Sequence, residues 1–261
     1  MSMNKSTFLG AQRPLLVSML QARTPERVEE LMARSRERGA EAFGMQFEQL
    51  ELAYHNEQTY RRLFSASAPL PVYVTNYRGG LNKHEKSDET LAEELLVLAE
   101  CGAKLCDVMG DYFDHCEGEL TMNEEAVKKQ MNLIDELHTR GAEVLMSSHV
   151  LKYTPAERVL EIAMEHQRRG ADICKIVTRA NNMAEQIENL RITNLLKERL
   201  SIPFLFLSGG VCYFSRRVGG TLGNCMTLCV CEHDELSTKG QPLLHEMKAI
   251  RDYLEEKTYE I

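Results

Sequence analysis

What this 261-residue sequence lacks narrows it first. No run approaches the roughly 18 consecutive apolar residues that a membrane-crossing helix needs. The opening stretch MSMNKSTFLGAQ carries no apolar signal core, so neither a transmembrane span nor a secretory peptide is expected. Basic side chains are outnumbered 31 to 39, for a formal charge of -8. That balance argues against broad binding to nucleic acid or an anionic membrane, while leaving room for a local pocket that takes a small anion. No glycine fingerprint follows the first apolar segment, since VSMLQARTPE has no backbone cradle for a pyrophosphate. Metal-ligand spacing is missing too. Asp114-His115-Cys116 has no fourth ligand, and Cys229 and Cys231 share a strand face without a second pair, so no metal is expected. No linker or low-complexity stretch divides the chain.

What is present is ordinary in bulk and informative in pattern. Hydrophobic residues make up 43% and charged residues 27%, as in a soluble globular protein. The length suits one (β/α)8 barrel, which commonly needs roughly 250 residues, so residues 1–261 are expected to form a single barrel domain. The eight cysteines (Cys101, Cys106, Cys116, Cys174, Cys212, Cys225, Cys229 and Cys231) sit mostly in apolar contexts. They read as reduced, buried residues of a cytoplasmic protein.

Eight short apolar segments alternate with amphipathic stretches from residue 15 onward. LLVSML (15–20), AFGMQF (42–47), VYVTN (72–76), LCDVMG (105–110), EVLMSSH (143–149), ICKIVT (173–178), PFLFLS (203–208) and NCMTLCV (224–230) read as strands. TPERVEELMARSRERG starts with a capping Thr24 and a Pro25, and SDETLAEELLVLAECG with a capping Ser87. Arg27 and Thr90 leave both capping boxes incomplete. Thr154-Pro155 reads as another cap followed by proline. Four helices run out in RGA or CGA, a glycine stop with a small residue at strand entry. Eight such units fit a closed α/β barrel, a (β/α)8 TIM barrel, better than the open doubly wound sheet that competes with it.

In such a barrel, function gathers where strands end and the following loops begin. Lys175 lies within ADICKIVT. A lysine there either reaches solvent at a strand edge or points into the barrel mouth. Helices outside and packing inside leave an ammonium few other places. In the mouth, its amine is placed to attack a carbonyl. His149 ends the preceding strand, where it is either a plain loop residue or an acid–base partner. Neighbouring strands lie about 4.8 Å apart, so the two side chains can meet over one substrate. Arg216, on a short helix after the seventh strand, is either a solvated surface residue or a bidentate grip on a carboxylate or phosphate. STKGQ (237–241) offers polar contacts, as any polar loop does. Tyr73 and Phe206 are expected to be barrel packing.

At this point the chain resembles type I 3-dehydroquinate dehydratase, the Schiff-base barrel enzyme of the shikimate pathway. VLMSSHVLKYTP followed by GADICKIVTRANN is similar to the family's segments bearing the catalytic histidine and lysine, matched by His149 and Lys175. SRRVGGTLGN resembles the loop after the seventh strand, which makes Arg216 the counterpart of a carboxylate-binding arginine. LSTKGQ looks like the family's mobile loop, with Ser237 and Gln241 in substrate-binding positions. The likeness runs from about residue 13 to the end and is weaker in the first half. It implies dehydration of 3-dehydroquinate to 3-dehydroshikimate through an imine on Lys175, with His149 moving protons and no metal or organic cofactor. The expected partner is a small-molecule carboxylate, with no nucleic acid and no membrane. Barrels often pair through outer helices, and a homodimer is expected.

The departures from the family fall in the hydroxyl-recognising shell. GMQFE puts Gly44, Gln46 and Glu48 where the family carries Glu-x-Arg-x-Asp, leaving Gln46 and Glu48 as substrate-binding candidates. The strand-three arginine is met by Arg78 after a one-residue shift, or by Tyr77 without it. The glutamate that assists the histidine falls near Leu81 or Asn82, with Glu85 as a substitute if the loop is rearranged. The acidic pair on strand four is reduced to Asp107, with Met109 beside it. Two rival readings follow: a Schiff-base lyase or aldolase for a different small oxo-acid, and a non-catalytic metabolite-binding barrel.

Overall fold

The computed structural model describes residues 7–11, 14–83, 86–211 and 213–256. The eight apolar segments form strands β1 (Leu15–Leu20), β2 (Ala42–Gln46), β3 (Val72–Thr75), β4 (Leu105–Met109), β5 (Glu143–His149), β6 (Ile173–Ala180), β7 (Phe204–Gly210) and β8 (Met226–Cys229). Helices alternate with them: α1 (Pro25–Glu37), α2 (Glu57–Ser67), α3 (Asp88–Cys101), α4 (Glu124–Thr139), α5 (Ala156–Arg168), α6 (Met183–Arg199), α7 (Phe214–Leu222) and α8 (Leu244–Glu256). The strands pair in parallel in the order β7-β6-β5-β4-β3-β2-β1-β8, the expected (β/α)8 barrel.

The ring closes differently between β7 and β8. There the Cys225 N–H donates to the Phe204 carbonyl at 2.9 Å. Beyond that bond, the side-chain amide of Asn224 takes the place of a strand. Its oxygen accepts from the Phe206 N–H at 2.9 Å, and its nitrogen donates to the Phe206 carbonyl at 3.1 Å.

Strand alternation decides which residues reach the interior. Ile173 and Val177 of β6 pack inside with Val17, Ala42, Leu105, Leu145 and Leu205. Cys174 and Ile176 pack outward with Val159, Ile162 and Ile192 of the helices. Lys175 therefore points inward. The same parity on β5, β4 and β3 turns Ser147, His149, Asp107 and Tyr73 inward, while Val144, Met146, Cys106, Val108, Val72 and Val74 join the outer layer.

The helix ends follow the sequence signals with one exception. Gly39, Gly102, Gly141 and Gly170 take φ of 88°, 133°, 77° and 95°, the left-handed region where an L side chain strains the backbone. Thr24 and Ser87 accept from the backbone N–H groups of Arg27 and Thr90. The expected cap at Thr154 is a correction. α5 starts one residue later, with Pro155 in the cap position, and the Thr154 hydroxyl instead donates to the Lys152 carbonyl at 3.1 Å. The seven described cysteines are free, and Cys212 lies outside the described residues. No described helix is long and apolar enough to cross a membrane.

Candidate active site

Lys175 is the third residue of β6, with only 4% of its surface exposed. Burying an ammonium is tolerable only if it is paired, and this one is. Its Nζ donates to Tyr77 Oη at 2.6 Å, Tyr73 Oη at 3.0 Å and Asp107 Oδ2 at 3.1 Å. It also lies 5.2 Å and 5.6 Å from the ring centres of Tyr77 and Tyr73. Both tyrosine hydroxyls donate to Asp107 Oδ2, and Ser147 Oγ donates to Oδ1 at 2.5 Å. Burial opposes the charge on Asp107, but the Lys175 ammonium and the three hydroxyl donors outweigh it and hold the carboxyl below its usual range. Burial, then the Asp107 charge, pushes both phenols well above the ordinary tyrosine value. Tyr73, expected as packing, is thus a hydrogen-bonding partner of the nucleophile candidate. Phe206 does pack outward among the helices.

His149 is not level with the lysine. Lys175 pairs with Ser147, and His149 with Val177, two residues nearer the barrel mouth. Tyr77 spans the step, its ring standing edge-on to the imidazole at 5.2 Å. The carboxylate expected near Leu81 or Asn82 arrives from elsewhere. Glu119, on the loop after β4, accepts from the His149 backbone N–H at 2.9 Å and pairs with Nδ1 at 2.6 Å. Burial disfavours its charge, but the hydrogen bond and charge of His149 hold it below the usual glutamate range. Asn82 instead bonds Asn76 and the Tyr77 carbonyl. Glu85 lies outside the described residues.

The loop that delivers Glu119 is braced from below. Buried Arg169 donates to the carbonyls of Gly110 and Thr121 and to Gln130 Oε1, at 3.0, 2.5 and 2.6 Å, and its Nε reaches Glu165 at 2.8 Å. Ser148 Oγ bonds the Glu119 carbonyl at 2.6 Å and lies 3.0 Å from His166 Nε2. Burial, then the Arg169 charge, drives the His166 imidazole down to about 3, so it serves as a neutral hydrogen-bonding group. A side chain at Gly110 would strike the Glu119 carbonyl, so only glycine lets the loop close this tightly.

Past the end of β7, the strand beside the lysine strand, Arg216 donates through Nε to the Ser208 carbonyl at 2.9 Å. Among the described residues no carboxylate pairs with it, and burial draws its guanidinium down to about 10. A desolvated cation with spare donors is ready to bind an anion. The 237–241 segment lies over it: a side chain at Gly240 would come 2.9 Å from the Tyr213 ring and 3.7 Å from Arg216 Nε. Gln241 is buried, and its Oε1 has no partner among the described residues. Ser237 Oγ is turned to Asp234, accepting from its N–H at 2.8 Å and donating to its carbonyl at 3.1 Å. Thr238 is tied to Gln21, whose Nε2 also reaches Gln46 Oε1 at 2.5 Å.

Two candidates are engaged elsewhere. Arg78 is clamped by both oxygens of Asp88 at 2.6 Å and by Asp111 Oδ1 at 2.7 Å, with its guanidinium over Tyr112. Of the pair Tyr77 and Arg78, Tyr77 is the one at the lysine. Glu48 accepts from Thr75 Oγ1 with both oxygens, and burial raises it to about 7. At position 44 any side chain would collide with Met19 and crowd Tyr73, so that corner of the pocket is already filled. No cluster of three or more metal-ligating side chains exists among the described residues.

Of these partners, Glu119 and Arg169 carried no signal in the sequence, because a loop and a helix end bring them to their targets. Tyr73 carried one: it shares strand parity with the interior.

Comparison with known proteins bears on the family and the fold. The family model for type I 3-dehydroquinase matches residues 17–258. A 3-dehydroquinate dehydratase from Listeria monocytogenes is 29% identical over 134 residues, 51% of this chain and 52% of the relative. One from Alkaliphilus oremlandii is 30% identical over 49% of this chain and 50% of the relative. The aligned region therefore spans about half the length of these curated relatives. The crystal structure of 3-dehydroquinate dehydratase from Geobacillus kaustophilus superposes with a TM-score of 0.79, at 16% identity, covering 96% of this chain and 95% of that one. The type I enzyme from Clostridium difficile gives a TM-score of 0.78 at 17% identity, covering 95% of each chain. The chain belongs to the type I 3-dehydroquinase family.

Proposed function

We propose that this protein dehydrates 3-dehydroquinate to 3-dehydroshikimate through an imine on Lys175. One observation carries the reading: an enclosed lysine and a carboxylate-backed histidine stand on adjacent strands at the barrel mouth, in a chain of this family. Lys175 attacks the C3 ketone, and the protonated imine withdraws electrons and acidifies the C2 hydrogen. Glu119 holds Nδ1 of His149, leaving Nε2 to remove that proton and then to protonate the departing C1 hydroxyl. Arg216 grips the C1 carboxylate, and the 237–241 segment with Ser237 and Gln241 covers it. Gln46 faces the substrate hydroxyls, and Glu48 braces the wall behind it. Arg78 is left out of the binding set because Asp88 and Asp111 engage it. A homodimer and a cytoplasmic location go with this reading, the first checked by sedimentation.

One observation favours a second reading. With Met19 and Tyr73 filling the corner at Gly44, the pocket offers less to a polyhydroxylated ring than to a leaner oxo-acid. Borohydride treatment with 3-dehydroquinate, followed by intact mass and peptide mapping, separates the two. A reduced adduct on Lys175, absent in Lys175→Met, supports the dehydratase. No adduct at millimolar substrate removes it in favour of another oxo-acid.

A further inference from the structure

We propose that Tyr77 is a further catalytic residue, whose phenol carries protons between Lys175 Nζ and the ketone oxygen while the imine forms and breaks. This rests on the imine reading above. Among the described residues Tyr77 Oη makes the shortest hydrogen bond of the ammonium, at 2.6 Å, and the Tyr77 and His149 ring centres lie 5.2 Å apart at a steep angle. His149 itself is offset two residues toward the mouth, and no hydrogen bond joins its imidazole to Nζ among the described residues. Tyr77 is the group that already stands at the nitrogen. Tyr73 has the same two polar partners but is fully buried on β3, whereas Tyr77 is half-buried and lies beyond the end of that strand. Behind both phenols lies Asp107, a carboxylate placed to hold a proton in transit.

The step balances without a co-reactant. Nζ passes one proton to Asp107 Oδ2, and its freed electron pair forms the C–N bond as the carbonyl π pair moves to oxygen. Tyr77 gives its proton to that oxygen and takes one from the nitrogen, leaving a neutral carbinolamine. The proton on Asp107 then passes through Tyr77 to the hydroxyl. The C–O bond breaks with its pair on the departing water, and the nitrogen pair completes the C=N bond. Of the three ammonium protons, one stays on the iminium and two leave in water. Lysine and substrate together carry +1 before and after, Asp107 keeps its −1, and Asp107 and Tyr77 return to carboxylate and phenol. The high phenol pKa suits this role, since a phenol that resists standing ionisation passes protons through rather than storing charge.

The test is rapid-quench borohydride trapping with 3-dehydroquinate. Tyr77→Phe keeps the ring against His149 and removes only the hydroxyl. The expected result is adduct on the same lysine, formed about 10²-fold more slowly. Site-specific 3-fluorotyrosine at position 77 preserves shape and hydroxyl while changing acidity, and decides the matter if Tyr77→Phe fails to fold. A relay shifts the trapping rate and its solvent deuterium isotope effect, and a merely structural phenol leaves both alone. Wild-type trapping with unchanged rates in both variants overturns the relay and leaves the imine reading standing. No adduct in the wild-type protein overturns the imine reading and the relay together.

Discussion

Glu119 Oε2 holds His149 at two points, its backbone N–H at 2.9 Å and its Nδ1 at 2.6 Å. One carboxylate oxygen thereby sets both the strand end and the ring orientation, and it leaves Nε2 for the substrate. Replacing Glu119 by Gln is expected to lower kcat on the order of 10²-fold with little change in KM. Glu119→Asp should recover part of the loss. Steady-state kinetics across pH check this, and an unchanged kcat in Glu119→Gln sinks the role.

Arg169 is the keystone of the loop that carries Glu119. Arg169→Met strips donors from two carbonyls, Gln130 and Glu165 at once. Breaking a buried charge pair of this kind costs about 3–5 kcal/mol. Urea unfolding should show that loss, together with a fall in kcat as Glu119 loosens. A midpoint equal to wild type would contradict the account.

Arg216 should trade stability for binding. Lowering a guanidinium from 12.5 to about 10 corresponds to up to about 3 kcal/mol of desolvation carried by the ligand-free protein. Arg216→Met is therefore expected to raise Tm by a few degrees while weakening substrate capture by about 10²-fold. In the wild-type protein a carboxylate ligand holds the charge on, so its affinity stays level below pH 10 and declines above it. Calorimetry with and without substrate tests both halves. A lower Tm in the variant would refute the first.

Glu48 gives a pH signature opposite to that of a salt-bridged acid. Its carboxyl is raised from 4.5 to about 7, so the folded state binds the proton more tightly than the unfolded chain does. Its contribution is complete below pH 4.5, declines as pH rises to 7 and is then level. The total is roughly 3 kcal/mol. Glu48→Gln should flatten that part of the stability profile in urea titrations run from pH 4.5 to 8. An unchanged slope would show that Glu48 is not the group titrating.

The barrel and the inward places of Lys175 and His149 were legible because they follow strand periodicity. Lys175 and His149 fall on inward positions of their strands, and the glycine stops at Gly39, Gly102, Gly141 and Gly170 mark the helix ends. Period two also placed Tyr73 inside, although aromatic character alone read as packing. Position along a loop has no such period. Glu119 reaches His149 only because the loop after β4 doubles back with φ of 49° at Glu119 and a bare Gly110 beneath it. The choice between Arg78 and Tyr77 stayed open in the sequence for a related reason: after β3 the chain leaves the ladder, and one residue of shift decides which of them stands at the lysine.

The amide of Asn224 makes the circumference of the barrel depend on the identity of a single atom. An aspartate there has the same shape and supplies the acceptor for the Phe206 N–H, but it sets a negative oxygen against the Phe206 carbonyl. Hydrolytic ageing of asparagine makes that exchange without any mutation. The seam it would part runs between the strand leading to Arg216 and the strand leading to the 237–241 segment, so chemical wear at the floor of the barrel would loosen the two strands that carry those groups at the rim.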